Sequence, residues 1–106
     1  MRSRSSAAPL FAALGDETRL RLVSRLCEGG PASITRLTQG ARITRQAITK
    51  HLRVMQDAGL VRSTRLGRES YWELDRRRLE EVRRNLALIS QQWDEALGRL
   101  RKFVEE

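Results

Sequence analysis

The stretch that decides the fold covers residues 44–74 and reads TRQAITKHLRVMQDAGLVRSTRLGRESYWEL. In its first half, apolar residues recur at Ile48, Leu52 and Met55, which is the i, i+4, i+7 spacing of one face of an α-helix. Thr44 precedes this face, and threonine is among the residues favoured at helix N-caps. The pattern predicts a helix that begins after Thr44 and buries one apolar side.

The second half of the stretch changes to a strand pattern. Gly59 is suited to end the helix, because glycine adopts the left-handed backbone of helix C-termini without a Cβ clash. Residues 60–66 and 70–74 are short runs that contain β-branched or aromatic side chains, and they are joined through Gly67 and Arg68. We therefore expect a two-stranded hairpin directly after the helix.

The rest of the chain has helical patterns. Apolar spacing and capping residues predict a helix over residues 7–14, one over residues 17–28 capped by Asp16, and a third that is capped by Ser33 and ends by Gly40. After the hairpin, a long helical pattern continues to the C-terminus. The order α-α-α-α-β-β-α describes a mainly α protein with a small β-hairpin, which is typical of a winged helix-turn-helix.

The 106 residues are the length of one domain. We expect residues 1–6 to form a flexible N-terminal arm, residues 7–74 the winged helix-turn-helix domain, and residues 75–106 a long C-terminal helix. No apolar run approaches the roughly 20 residues of a membrane span, and Pro9 interrupts the apolar run that would serve a signal peptide. Together with the single cysteine, Cys27, this predicts a cytoplasmic protein.

Positive charge is concentrated in the same part of the chain. There are 21 Lys+Arg and 13 Asp+Glu, a net charge of +8, and residues 36–68 contain eight basic residues and one acidic residue. The polar face of the helix predicted between Thr44 and Gly59 has no acid, whereas a merely solvated helix face usually mixes signs. Because arginine, glutamine and threonine can read base edges in the major groove, we expect double-stranded DNA as the partner.

The DNA contacts are expected to fall into three groups. The residues expected to read bases from the recognition helix are Arg45, Gln46, Thr49 and Lys50. The residues expected to meet the DNA backbone are Arg36, Arg42, Thr44, His51 and Arg53, and those of the wing are Arg65, Gly67 and Arg68. For His51, the sequence is equally compatible with a phosphate contact and with a structural hydrogen bond.

Apolar residues of the last predicted helix repeat every seven positions, with a second set three residues further on. A helix of about 28 residues is about 42 Å long, more than a core of this size can cover, so we expect a homodimer through the first and last helices. The predicted interface consists of Leu10, Phe11, Leu79, Val82, Leu86, Ile89, Trp93, Ala96, Leu100 and Phe103. An alternative is a dimeric interaction module whose heptad helix recruits another protein, with no specific DNA binding.

Chemistry at a metal or a catalytic centre is not expected. His51 is the only histidine and Cys27 the only cysteine, so a closed site with three or four such ligands cannot be assembled. The sequence also has no Ser/His/Asp or Cys/His arrangement and no glycine-rich phosphate loop. We therefore expect neither an enzyme nor a cofactor.

Several motifs, in this order, resemble the ArsR/SmtB-type bacterial transcriptional repressors. Residues 14–22 (LGDETRLRL) are similar to that family's L-x-D-P/E-T-R-L-x-I/L motif, and residues 44–52 (TRQAITKHL) to its S-x-x-x-V-S-x-H-L motif. The segments AGLV at 58–61 and LGR at 66–68 follow at the family's spacing. The resemblance implies a dimeric winged-helix repressor of operator DNA, in which positions 45, 46, 49 and 50 read bases and phosphates.

The departures from the family pattern concern metal sensing. Many relatives bind metals through a cysteine pair on the third or fourth element or through Asp and His ligands on the last helix. Here residues 33–40 have no cysteine and residues 75–106 no histidine. With QWDEALGRL at residues 92–100, the chain resembles the branch that lacks metal sites. The resemblance thus implies a regulator without a metal, and it leaves any effector unassigned.

Overall fold

A computed structural model describes the backbone of residues 2–105 and the side chains of residues 7–105. Within that range the chain forms five helices and three strands: α1 (Arg2–Leu14), α2 (Glu17–Gly29), β1 (Ala32–Ser33), α3 (Ile34–Thr38), α4 (Arg45–Asp57), β2 (Val61–Leu66), β3 (Glu69–Leu74) and α5 (Arg76–Glu105). The predicted mainly α fold with a winged helix-turn-helix order is confirmed.

The helices begin at the predicted capping residues. Asp16, Ser33 and Thr44 each accept a hydrogen bond from the backbone N–H three residues further on, which satisfies a donor that the first helical turn leaves free. Asp75 caps α5 by accepting from the backbone N–H groups two and three residues further on. These contacts depend on neighbouring residues only, so the sequence pattern is sufficient to predict them.

Two elements differ from the sequence-based expectation. Helix α1 begins at Arg2 and so includes residues 2–6 of the predicted arm, while Met1 lies outside the described residues. In addition, Ala32 and Ser33 pair with Trp72 and Tyr71, so the hairpin is part of a three-stranded antiparallel sheet in the order β1-β3-β2. A strand of two residues has no alternation that a sequence pattern could show.

The core lies where α1, α2, α3 and α4 meet the sheet. The apolar face of α4 is buried as predicted, with Ile48, Leu52 and Met55 at most 1% exposed. The chain leaves α4 through Gly59, whose φ of +85° is the left-handed conformation that favours glycine. This packing fixes the position of α4, and with it the direction of its polar face.

Helix α5 extends beyond the core. Its 30 residues correspond to a length of about 45 Å in a molecule whose longest dimension is 67 Å. Val82 is buried and Leu79 packs against the core, whereas the large apolar side chains from Leu86 onward are exposed. In the described part of the chain, no helix is both long and apolar enough to cross a membrane.

Candidate nucleic-acid interface

Helix α4 presents the predicted base-reading residues on the side away from the core. Arg45, Gln46 and Lys50 are exposed, and Thr49 is half-buried. The hydroxyl of Thr49 donates to the backbone oxygen of Arg45 (3.0 Å), and Arg45 Nη1 donates to Thr35 Oγ1 on α3 (3.1 Å). The structure thus brings all four residues onto one accessible surface, with Arg45 and Thr49 hydrogen-bonded within the protein.

His51 lies on a different side of α4. Its Nδ1 is 3.3 Å from Nη1 of Arg19 and 3.8 Å from Oδ2 of Asp16, and about three quarters of its side chain is covered. These partners belong to the first turn of α2 and its cap. Of the two alternatives left open by the sequence, the structural hydrogen bond is the one that this geometry favours.

The wing is a tight hairpin formed by β2 and β3. Leu66 pairs with Glu69, so Gly67 and Arg68 are the two turn residues. A positive φ at Gly67 alone is the pattern of a type II′ turn, whose backbone twist matches that of the strands. Arg65 and Arg68 are exposed near the tip, and Arg65 Nε is 3.4 Å from the backbone oxygen of Gly67.

Most cations of residues 36–68 have no acidic partner. Arg62 is the exception, since its Nε is 3.0 Å from Oε1 of Glu73 on the neighbouring strand. The other seven are exposed, and none forms an ion pair with a described side chain. We call these seven the basic surface: Arg36, Arg42, Arg45, Lys50, Arg53, Arg65 and Arg68. A surface of positive charges without acidic partners is typical of a protein that binds a polyanion.

Two arginines that the sequence pattern did not identify, Arg19 and Arg25, form contacts between the helices beneath this surface. Arg25 on α2 donates to the backbone oxygens of Arg36 (2.8 Å) and Leu37 (2.6 Å), which caps the C-terminal end of α3. Arg19 donates from Nε to the backbone oxygen of Ala13 (2.6 Å) as well as approaching His51. The contacts of Arg25 join residues 11 and 12 positions apart, so no local signal in the sequence could have identified them.

Eight exposed large apolar side chains lie on α5 beyond the core: Leu86, Leu88, Ile89, Trp93, Leu97, Leu100, Phe103 and Val104. We call them the apolar stripe. Ala96 of the predicted interface is half-buried between them. By contrast, Leu10 and Val82 are buried in the core of the protomer itself, and Phe11 and Leu79 pack against that core. Helix α5 contacts α1, and because these four side chains belong to the core or pack against it, this part of the predicted interface is covered within one chain.

Metal-ligating side chains are dispersed. Cys27 is exposed at the end of α2, and among the side chains of residues 7–105 no group of three His, Cys, Asp or Glu residues is close enough to hold a metal ion.

Known proteins resemble the chain in sequence and in structure. The family of helix-turn-helix domains matches residues 14–64, from the end of α1 to β2. The chain is 45% identical over 65 residues to the HTH-type transcriptional regulator YuzN of Bacillus subtilis, covering 56% of this chain and 71% of that protein. It is 32% identical over 65 residues to the arsenical resistance operon repressor of the same organism, covering 61% of this chain and 62% of that repressor.

The structure of an ArsR-like transcriptional regulator from Rhodococcus sp. RHA1 superimposes with a TM-score of 0.78 at 33% identity. That match covers 97% of this chain and 96% of the regulator, so it includes α1, the wing and α5 as well as the matched helix-turn-helix domain. The chain therefore belongs to the ArsR family of winged helix-turn-helix regulators, which are DNA-binding transcriptional regulators and not enzymes.

Proposed function

We propose that this protein is a homodimeric repressor that inserts α4 into the major groove of a palindromic operator and needs no metal to do so. The basic surface is the observation that carries the proposal. Its seven exposed cations lie on α3, on the turn before α4, on α4 and on the wing, which are the elements that face the duplex in winged helix-turn-helix proteins. In this arrangement Arg45, Gln46, Thr49 and Lys50 meet base edges and flanking phosphates.

The apolar stripe supports the homodimer. Trp93 and Phe103 are 63% and 76% exposed, and the stripe continues along about five turns of α5 with no core beneath it. Contiguous exposed apolar surface of this kind marks an interaction site. A second copy offers the same heptad spacing, so the two α5 helices can bury each other's stripe.

The environment of His51 supports metal independence. A metal ligand must offer a free, neutral ring nitrogen. Here Nδ1 of the only histidine is 3.3 Å from the guanidinium of Arg19, whose positive charge opposes a metal cation at that nitrogen.

The test is a footprinting experiment on the DNA upstream of the protein's own gene, with a scrambled fragment of equal length as the competitor. Two protected patches are expected about one helical turn apart, because a two-fold symmetric dimer presents two recognition helices. The scrambled fragment should bind at least about 1,000-fold more weakly. Equal binding to the two fragments would contradict the proposal.

The same experiment separates the alternative function, a dimeric module that recruits another protein through α5. That alternative would be favoured if the unchanged protein bound no DNA while a variant with Arg45→Glu and Lys50→Glu still retained the same partner protein. The two charge reversals lie on α4, away from the apolar stripe, so they should leave such a partner unaffected.

A further inference from the structure

A cleft of about 260 Å³ lies between α2 and the turn that joins α3 to α4. One wall is a single face of α2, formed by Thr18, Arg21, Leu22 and Arg25, whose spacing of three and four residues places them in line. The opposite wall consists of Leu37, the turn residues 40–43, and Ile48. The sequence gives no hint of this cleft, because its walls come from three helices and a turn.

The floor of the cleft is apolar. Leu22, Leu37 and Ile48 belong to the core and are at most 4% exposed, and half-buried Ile43 extends the apolar surface toward the opening. Ligand sites combine such apolar lining with a few polar groups that fix orientation. Because these three core side chains are almost fully covered already, the apolar side-chain surface that an occupant could remove from water is mainly that of Ile43, and covering it is favourable in proportion to its area.

The rim of the cleft is cationic. Three arginines line it, and no acidic residue does. Arg25 is held in place by its hydrogen bonds to the end of α3, and Arg21 forms an ion pair with exposed Glu17. Arg42 is exposed and takes part in none of the ion pairs of the described side chains, so its planar fork is available to a carboxylate.

The size of the cleft selects a small molecule. At roughly 30 Å³ per water molecule, its volume equals that of about nine waters, which is room for one ring or one branched chain that carries a single carboxylate. We propose that the cleft binds a small organic carboxylate with an apolar body, whose carboxylate pairs with Arg42 and whose body lies against Ile43, above the buried Leu22, Leu37 and Ile48.

Binding in the cleft would also affect the proposed DNA interface, and this extension rests on the proposed function. Arg42 belongs to the basic surface, and Arg25 anchors the α3 end from which Arg36 projects. A bound carboxylate neutralises Arg42 and so removes one of the positive charges proposed to meet the DNA backbone. Occupancy is therefore expected to weaken duplex binding.

Calorimetric titration of the full chain tests the binding site without DNA. Benzoate and 3-methylbutanoate are the probes, benzyl alcohol is the control with the same ring and no charge, and acetate is the control with the charge and no apolar body. At least one probe should bind about tenfold more tightly than both controls, because only the probes combine an apolar body for the apolar part of the cleft with a carboxylate for Arg42. Absence of saturable binding by both probes up to about 10 mM, or equal binding of a control, would overturn the proposal.

Two matched variants locate the site. Arg42→Gln should weaken binding of the better probe about tenfold or more, whereas Arg101→Gln, an exposed arginine on the far part of α5, should not change it. The thermal midpoints of both variants show whether they are folded. An unchanged affinity in folded Arg42→Gln would overturn the assignment.

Adding the better probe to an operator gel shift then measures the effect on DNA binding. Failure of the protein to bind any duplex would count against the proposed function. The calorimetric result would still decide whether the cleft binds the carboxylate.

Discussion

Arg45 and Arg68 are two exposed arginines of the basic surface that should act differently on DNA. Arg45 lies in the first turn of α4, from which we propose that it reaches a base edge, and Arg68 lies in the wing turn, from which we propose that it meets the DNA backbone. Arg45→Ala should cost about 1–3 kcal/mol of discrimination between operator and random duplex. Arg68→Ala should weaken both duplexes to a similar extent. The measurement is the ratio of the two dissociation constants for each variant, and equal ratios in both variants would contradict the assignment.

Asp16 predicts a pH dependence of stability. The backbone N–H of Arg19 donates to its carboxylate, and this hydrogen bond, aided by the charges of Arg19 and His51, holds the pKa of Asp16 below its ordinary value of 3.8. A carboxyl group whose pKa is lowered by folding contributes stability above its unfolded pKa, and this contribution is lost as the pH falls through the folded value.

Asp16→Asn keeps an N-cap acceptor but removes the charge, so it isolates this effect. The variant should be less stable than the parent protein at neutral pH, and the difference should shrink as the pH is lowered from about 5 towards 2. Urea denaturation midpoints at a series of pH values measure it. A difference that grows on acidification would show that the charge of Asp16 is not stabilising.

At the scale of the elements, Arg19 is the residue whose contacts connect α1, α2 and α4. It lies on the first turn of α2, donates to the backbone oxygen of Ala13 at the end of α1, and approaches His51 in the middle of α4. Arg19→Ala leaves these part-buried acceptors without a donor and should lower the free energy of unfolding by about 2 kcal/mol.

Arg21→Ala is the matched control for that experiment. Arg21 is two residues further along α2, and its ion pair with Glu17 has both side chains about three quarters exposed, so the loss should stay within about 0.5 kcal/mol. Both values come from urea denaturation at one protein concentration. Equal losses of the free energy of unfolding in the two variants would contradict a stabilising role for the contacts of Arg19 with α1 and α4.

The helices and strands also show which features a sequence pattern can predict. The caps at Asp16, Ser33 and Thr44 and the apolar face of α4 were predicted correctly, since each depends on residues within one or two helical turns. Strand β1 was not predicted, because its two residues become a strand only by pairing with β3.

For the whole molecule, the apolar stripe predicts assembly through α5. Trp93→Glu places a charge in the middle of the stripe and should weaken self-association by roughly thirtyfold or more, the effect of losing an interface hot spot. Gln91→Glu introduces the same charge two residues away, at the heptad position farthest from the a/d seam, and should have little effect. Sedimentation at a series of concentrations measures both. An identical monomer–dimer distribution for the two variants would contradict assembly through this stripe.

The basic surface predicts how operator affinity depends on salt. If about four cations per protomer meet phosphates, a dimer neutralises about eight, and the slope of log K against log salt concentration is near −7. Trp93→Glu should roughly halve this slope, since a monomer meets one half-site. Binding measurements between roughly 50 and 200 mM salt provide the test, and a slope near zero would contradict a phosphate-binding role for this surface.

The sequence by itself determined the helices and their caps, the hairpin, and the concentration of charge on residues 36–68, because each of these follows from neighbouring residues and their spacing. The tertiary structure decided which part of the heptad pattern is core and which is surface: Val82 lies over the domain, whereas α5 has no core beneath it from Leu86 onward. It also decided that His51 faces Arg19 and that Arg25 caps α3. These features join residues that are 11 to 32 positions apart in the chain, and only the packing of the helices brings such residues together.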